Sequence, residues 1–273
     1  MCAIAKKVGV PYRRLFRYIA ENRPMPLDVL RLIVEEITPD RKSHDAVMES
    51  IYQLKLTFKT FASSSNEVSL PKFYDERLCY LLGVLHDGTV YADENKNQYV
   101  LQFWQKTDRA LMSLAADYIE DIFRIRPKEY GEYIQLSSKV VVEFFRTVMK
   151  IPRRHKEWSS FLMKELPWQL KKYQIAGFYD AEGWCGGKSD PRIKFSQKSS
   201  RKLSEIKTVL EEHGIKCGEV CAERNIHVLY ISDFNSCVKF AEEIARVSRH
   251  SQKSAKLSEL LEYVGRPPLI RGT

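Results

Sequence analysis

Residues 175–183, Ile-Ala-Gly-Phe-Tyr-Asp-Ala-Glu-Gly, form an apolar segment that ends in an acidic residue and a glycine. A similar segment, Tyr-Leu-Leu-Gly-Val-Leu-His-Asp-Gly, occupies residues 80–88. A Leu-Pro pair precedes each of them, at 70–71 and at 166–167. Both segments are predicted to be apolar helices, and a repeat on this scale is evidence about the architecture of the whole chain. The sequence therefore predicts two related halves.

The residues after each segment extend the repeat. A strand is predicted after each one, ending in Phe-Trp-Gln-Lys-Thr at 103–107 and in Phe-Ser-Gln-Lys-Ser at 195–199. An amphipathic helix, strands that alternate apolar and polar residues, and a closing helix follow. These elements are predicted at 109–124, 132–136 and 140–149 in the first copy and at 201–214, 226–231 and 234–247 in the second. Each copy is thus predicted to have the order αββαββα.

The N-terminal third is predicted to be helical. A helix over 3–8, a turn containing Gly9, and a second helix over 12–19 have the layout of a helix-turn-helix, and Pro26 opens a third helix. The second helix of such a unit lies in the major groove of DNA, and here it carries Arg13, Arg14 and Arg17. The alternative is a small helical bundle with a solvated basic face. The predicted domains are 1–66 with its linker, 67–165 and 166–273.

Composition narrows the class of protein. The 273 residues include 44 Lys and Arg against 35 Asp and Glu, a net charge of +9 that favours polyanionic partners. No apolar run reaches the length of a membrane span, and no signal peptide is evident. The six cysteines are scattered, which suits a reducing compartment, and the pair Cys217 and Cys221 lacks the second pair of a zinc site. We expect an intracellular, cytoplasmic protein, associated with the nucleoid in a prokaryote.

The segment at 175–183 resembles a LAGLIDADG motif at every position by residue type. With the Leu-Pro pairs and the duplication, roughly residues 67 to 265 resemble a monomeric, two-motif LAGLIDADG homing endonuclease. The resemblance implies an α+β fold, with two pseudo-symmetric αββαββα halves that form a saddle, preceded here by a small all-α helix-turn-helix-like domain. It also implies intron homing by a site-specific, Mg²⁺- or Mn²⁺-dependent endonuclease that hydrolyses one phosphodiester in each strand of duplex DNA.

The chemistry of the motif can be worked out from its residues. A helix carrying Ala176 and Gly177 can approach a partner helix closely, because small side chains let the backbones meet. Pairing the two motif helices would bring Asp87 and Glu182 together, and two carboxylates can hold the divalent cations of a two-metal phosphodiester cleavage. The alternative is that both acids merely end helices, although the helix dipole disfavours acids at a C-terminus.

Further site residues follow from the resemblance. In the family, a Gln at a strand end and a basic residue four positions later line the water network at the scissile phosphates, and another basic residue follows each closing helix. The matching positions are Gln105, Arg109 and Lys156 in the first half and Gln197, Arg201 and Lys253 in the second. The alternative is that these residues cap strands and solvate helices. Strand side chains expected to contact DNA are Tyr99, Gln102, Trp104, Lys106, Arg192, Lys194 and Lys198.

The first motif is one residue short, since four positions separate Gly83 from Asp87 whereas five separate Gly177 from Glu182. A local turn at His86 could restore the position of Asp87, another residue could make the closest helix contact, or the first site is impaired. An impaired first site predicts nicking of one strand or binding without cleavage. His86 could tune Asp87 or bind phosphate, but it is expected to be a partly exposed neighbour without a catalytic part. A DNA-binding transcriptional regulator without cleavage and an RNA-splicing maturase that binds intron RNA remain alternatives.

Overall fold

The computed structural model describes residues 2–20, 25, 27–38, 40, 43, 58–59, 67–71, 74–93, 95–105, 108–148 and 166–264. The chain divides into two compact units, residues 1–73 and residues 74–273. Within the described residues, no helix is long and apolar enough to cross a membrane.

The described residues of the N-terminal unit include three helices and a short strand pair. The helices are α1 (Cys2–Lys7), α2 (Tyr12–Ala20) and α3 (Leu27–Ile37), and the strands β1 (Phe58–Lys59) and β2 (Glu67–Val68) pair antiparallel. Gly9 turns the chain between α1 and α2 with a φ of +67°, a conformation that favours glycine. Ala5, Leu15 and Val29 form the core. The unit is therefore not all-α as predicted, because Phe58 and its partner Val68 are residue types that favour strands.

The first half of the second unit has the predicted order of elements. Its helix α4 (Glu76–Val84) continues into a 3-10 turn, Leu85–Asp87. The remaining elements are β3 (Thr89–Asp93), β4 (Gln98–Trp104), α5 (Arg109–Phe123), β5 (Lys128–Tyr130), β6 (Tyr133–Ser137) and α6 (Lys139–Val148). The four strands form an antiparallel sheet in the order β3-β4-β6-β5. Asp75 and Asp108 cap α4 and α5, accepting hydrogen bonds from the Leu78 and Leu111 amides.

The second half repeats this arrangement. Its elements are α7 (Trp168–Glu182), β7 (Gly183–Cys185), a 3-10 turn (Gly187–Ser189), β8 (Ile193–Gln197), α8 (Ser200–Glu212), β9 (Cys221–Glu223), β10 (Ile226–Ile231) and α9 (Phe234–Ile244). The sheet order β7-β8-β10-β9 matches that of the first half. The predicted α+β fold with two four-stranded antiparallel sheets is confirmed. An additional helix, α10 (Ser251–Val264), was not predicted.

Each sheet has one face towards the core and one outer face. Along β4, Tyr99, Leu101 and Phe103 are buried, while the intervening residues are more exposed. This alternation follows from the period-two geometry of a strand. The outer faces are therefore the surfaces on which strand side chains can meet a partner.

Candidate active site and nucleic-acid interface

The two motif helices, α4 and α7, pack backbone to backbone at Gly83 and Gly177, and we call this contact the helix seam. A Cβ atom on Gly83 would lie 2.0 Å from the carbonyl oxygen of Gln174, and one on Gly177 would lie 2.1 Å from that of Tyr80. No side chain fits at either position, so both glycines are needed for the close approach. The structure thus places Gly177, and its counterpart Gly83, at the contact predicted for the motif.

The helices of the seam run in the same direction. Near their N-terminal ends, the hydroxyl of Tyr173 on α7 hydrogen-bonds to Glu76 on α4. Near their C-terminal ends, the ring of His86 packs edge-on against Phe178, with 6.0 Å between ring centroids. When two packed helices are parallel, their C-terminal ends lie on the same side of the contact between them. The C-terminal ends of both motifs, which carry Asp87 and Glu182, therefore lie at one end of the seam.

The missing residue of the first motif is compensated by the 3-10 turn. An α-helix turns by about 100° and rises by about 1.5 Å per residue, and a 3-10 helix by about 120° and 2.0 Å. One α step and three 3-10 steps from Gly83 to Asp87 rise by about 7.5 Å, as do the five α steps from Gly177 to Glu182. The rotational mismatch falls from about 100° to about 40°. A local turn at His86 is thus present, and the Asp87 side chain lies outside the described residues.

His86 is buried, with only 3% of its surface exposed, which corrects the expectation of partial exposure. The physical reason is its position inside the 3-10 turn, where the side chain is directed at the partner helix and meets Phe178. His86 follows Gly83 by three positions, as Asp180 follows Gly177. A buried histidine in one half thus corresponds to a buried acid in the other.

Lys253 and Glu182 lie at the C-terminal end of α7. Lys253, on α10, donates from Nζ to the carbonyl oxygens of Tyr179 at 3.1 Å, Asp180 at 2.7 Å and Ala181 at 3.4 Å. Glu182 is the last residue of α7 and is half-buried. A cation at these carbonyls is favoured by the helix dipole. The structure therefore brings the predicted Lys253 to the same helix end as Glu182.

The remaining predicted residues occupy the strand ends and helix starts. Gln105 follows β4 and its backbone amide donates to the carbonyl of Glu132 at 2.9 Å, whereas the Gln197 side chain accepts from the Lys198 amide at 2.8 Å. Both arginines are exposed, Arg109 as the first residue of α5 and Arg201 in the first turn of α8. Lys106 and Lys156 lie outside the described residues.

The donor set at the seam suits a hard divalent cation. Glu182 brings a carboxylate to this place, Asp87 is the second acid at the helix ends, and carboxylate oxygens are preferred by Mg²⁺ and Mn²⁺. Among the described residues, no three His, Cys, Asp or Glu side chains converge on one point. Metal ions at this place would therefore complete their coordination with water and with a bound ligand such as phosphate. Asp87 and Glu182 are the residues that would hold such a cation.

On the outer face of the first sheet, aromatic rings form a stack. The Trp104 ring lies 4.3 Å from the Tyr133 ring, which lies 4.8 Å from the Tyr130 ring, and Trp104 is 41% exposed. Gln102 lies on the same face and donates to Gln135 at 2.6 Å. Tyr99 does not share this face. It is buried on the core side with Lys139 over its ring, because residues 99 and 102 differ by an odd number of positions, and we leave it out of the DNA-contacting set.

The outer face of the second sheet carries paired charges. Lys194 Nζ lies 2.8 Å from a Glu223 carboxylate oxygen and over the ring of Tyr230, and Arg192 binds both carboxylate oxygens of Asp190 at 2.7 Å. Lys198 is exposed. These ion pairs hold the cations in place on the sheet surface. The sequence analysis did not identify the residues that contact these side chains, namely Tyr130 and Tyr133 on the first sheet and Asp190, Glu223 and Tyr230 on the second. Their position in or beside alternating strands was the only signal for them.

The α2 helix of the N-terminal unit has a basic face. Arg13, Arg14 and Arg17 are all exposed, and Tyr12 and Phe16 are exposed beside them, whereas Leu15 is buried in the core. The helix contains no acidic residue. A face that combines arginines with exposed aromatic rings is typical of an interaction surface.

Residues 169–245 match the family model described as a LAGLIDADG-like domain. Among solved structures, the homing endonuclease I-WcaI, bound to its DNA recognition sequence, aligns with 81% of this chain and 94% of its own at 13% identity and a TM-score of 0.50. I-DmoI in complex with DNA and Ca aligns with 67% and 97%, at 18% identity and a TM-score of 0.49. No curated protein sequence matches the chain. Residues 169–245 are thus similar to a LAGLIDADG-like domain, and the chain has the fold of the homing endonuclease I-WcaI.

Proposed function

We propose that this protein is a site-specific, divalent-metal-dependent endonuclease of the homing type that acts as a monomer and cuts both strands of duplex DNA. The helix seam carries the proposal, because the close backbone packing at Gly83 and at Gly177 sets the ends of two parallel helices side by side. Acids at helix C-termini are electrostatically unfavourable, so a matched pair of them is better explained by chemistry than by packing. Such a substrate places the protein with the cellular DNA, in the cytoplasm or nucleoid.

Asp87 and Glu182 are the residues that would hold Mg²⁺ or Mn²⁺. When bound, the cations supply an activated water and stabilise the leaving 3′ oxygen. Gln105 and Gln197 orient water at the two strand ends, and their donors and acceptors suit that task. The exposed guanidinium of Arg201, with Arg109 in the other half, offsets charge that develops on the phosphate. Lys253 supplies a further positive charge beside Glu182, and Lys156 is proposed for the same part in the first half.

The outer faces of the two sheets are proposed to contact the DNA. Phosphate contacts supply affinity, whereas side chains directed into the major groove distinguish bases. The aromatic stack and the paired cations described above give the two halves different surfaces, which suits a target whose half-sites differ in sequence. The residues proposed to contact DNA on these faces are Gln102, Trp104, Lys106, Arg192, Lys194 and Lys198.

The N-terminal unit is proposed to add a second DNA contact. A major-groove helix presents its N-terminal residues to base edges, and on α2 these positions hold Arg13, Arg14 and Arg17. Their exposure and the absence of an acidic residue on α2 support this proposal. Comparing DNA footprints of the wild type and Arg13→Ala, with Lys6→Ala as a control of equal charge on α1, tests it. A footprint that Arg13→Ala leaves unchanged would contradict the contact.

A DNA-binding regulator without cleavage is the second candidate. The short first motif favours it, because a displaced Asp87 would leave one site without its acid. The 3-10 turn that restores the axial position of Asp87 favours cleavage instead.

Selection from a randomised duplex library, with Mg²⁺ or with EDTA, separates the two candidates. We expect the wild type to cut its selected site only with Mg²⁺, and Glu182→Gln to bind that site without cutting it. Glu242→Gln, an exposed acid on α9, is the matched control and should cut normally. Tight, sequence-specific binding by the wild type without cleavage would favour the regulator, and cleavage by Glu182→Gln would contradict the assignment of Glu182.

A further inference from the structure

Asp180 is a fully buried acid two positions before Glu182, and it holds the chain that enters α10. Its carboxylate accepts hydrogen bonds from Ser248 Oγ at 2.6 Å, from the Arg249 amide at 2.6 Å and from the His250 amide at 3.2 Å. It also accepts from the Tyr80 hydroxyl at 2.5 Å. We call these five residues the Asp180 network. The carboxylate thus holds the turn before α10 by three hydrogen bonds and contacts α4 by a fourth.

The network determines where the Lys253 ammonium lies. Lys253 is three positions after His250 and lies in the first turn of α10, so its position depends on how that turn is held. Its Nζ donates to the carbonyl oxygens of residues 179–181, directly before Glu182. Asp180 and Lys253 therefore link the same two elements, each element contributing one of the two side chains. Asp180 of α7 binds the start of α10, and Lys253 of α10 binds the end of α7.

The network also reaches the first half. Tyr80 belongs to α4, the other helix of the seam. The His250 ring nitrogen Nδ1 lies 3.1 Å from a carboxylate oxygen of Asp108, the residue that caps α5 directly before Arg109. The turn at 248–250 therefore contacts the cap of α5 in the first half, and Asp180 contacts α4. In the first half, His86 occupies the position equivalent to Asp180.

We propose that Asp180 is a positioning residue for the second cleavage site: through the turn at 248–250 it holds Lys253 beside Glu182. The proposal rests on the proposed nuclease function, within which Lys253 acts on the phosphate. Oδ2 of Asp180 accepts from the Tyr80 hydroxyl and from the Arg249 and His250 amides, whereas Oδ1 accepts from Ser248 Oγ. An amide in its place keeps its oxygen at the Oδ2 position only with its NH₂ group directed at Ser248 Oγ, and it loses the negative charge that strengthens all four hydrogen bonds. Misplacement of a charged group by about 1 Å can cost roughly a hundredfold in rate.

The test uses the full-length protein, its selected DNA site and the variant Asp180→Asn. Asp233→Asn is the matched control, because Asp233 caps α9 through Ser236 in the same half and has no contact with Lys253 among those described. We expect Asp180→Asn to slow single-turnover cleavage by about tenfold or more, with DNA affinity within about twofold of wild type. Asp233→Asn should leave the cleavage rate near that of wild type.

A double-variant cycle with Lys253→Met distinguishes positioning from general destabilisation. If Asp180 acts through Lys253, the double variant cuts no more slowly than Lys253→Met alone, because the lysine to be positioned is already gone. Multiplicative effects of the two substitutions would overturn the proposal, as would a wild-type cleavage rate in Asp180→Asn or an equal loss in Asp233→Asn.

Amide hydrogen exchange over residues 248–256 gives a readout that does not need activity. Asp180→Asn should exchange faster there than the wild type or Asp233→Asn, and equal protection would overturn the proposal. If the wild type cuts no selected site, the nuclease function fails while the exchange data still decide whether Asp180 holds this turn. Should Asp180→Asn not fold, Ser248→Ala replaces it in every arm, since it removes one hydrogen bond and keeps the charge.

Discussion

Replacing Gly83 by alanine is expected to destabilise residues 74–273, although alanine is the better helix former. In an isolated helix the change would stabilise by about 1 kcal/mol. At the helix seam, the new Cβ would lie 2.0 Å from the carbonyl oxygen of Gln174 and 2.8 Å from the amide nitrogen of Phe178. Both are backbone atoms of α7, which cannot rotate aside as a side chain could.

The size of the effect follows from this geometry. The Gln174 oxygen must retreat by about 1.4 Å to reach ordinary van der Waals contact, so the helices must separate. Overpacking of this kind costs about 1 to 3 kcal/mol, and the upper end applies because the obstacle is backbone. Subtracting the gain in helix propensity leaves a net loss of about 2 kcal/mol. For a unit of this size, that corresponds to a fall in Tm of about 4 to 8 °C.

Thermal and urea unfolding of Gly83→Ala, Gly177→Ala and the double variant measure this loss. A single separation of the helices relieves both clashes, so the double variant should be less destabilised than the sum of the single ones. Gly131→Ala is the control, because a Cβ there has no neighbour within 4 Å, and its Tm should barely change. An unchanged or raised Tm in Gly83→Ala would refute the backbone contact at the seam.

Further predictions concern neighbouring residues with opposite environments. Phe103→Ala should lower the free energy of unfolding by about 3 to 5 kcal/mol because that ring is fully buried. Trp104→Ala, on the outer face, should change Tm little and weaken DNA binding about tenfold. Denaturation curves and binding titrations check both, and equal losses of stability would contradict the assignment of faces. Burial raises the pKa of the Cys79 and Cys237 thiols to about 12, so at pH 8 only about one in ten thousand is a thiolate. Iodoacetamide should label the exposed Cys221 and spare these two until denaturant is added, as mass spectrometry of the digested protein can show.

Much of this fold could be predicted because its main determinants are local. The glycines of the seam stand at fixed places in a repeated segment, and helical and alternating patterns located most helices and strands of both halves. The fold predicted for residues 67–265 agrees with the two four-stranded sheets because each sheet is built from segments close in sequence.

The predictions that were wrong or missing concern the face of a strand on which a residue lies and contacts between residues distant in sequence. Tyr99 was assigned to the DNA face together with Gln102 and Trp104, although residues an odd number of positions apart lie on opposite faces of a strand, and its burial in the core corrects that assignment. A local turn at His86 was one of the alternatives, but the burial of His86 within that turn depends on α7, against which its ring packs. Asp180 is an ordinary acid in the sequence, and its importance emerges only when residues 248–250 close around it.

Strand-resolved, single-turnover cleavage of the selected DNA site by Asp87→Asn and Glu182→Gln tests the central claim most directly. With one acid from each motif at the end of the seam, each substitution should greatly slow cleavage of one or both strands in Mg²⁺, while binding in EDTA stays close to that of wild type. Cleavage of both strands at wild-type rates in either variant would contradict the assignment of paired carboxylates at the seam as the catalytic centre.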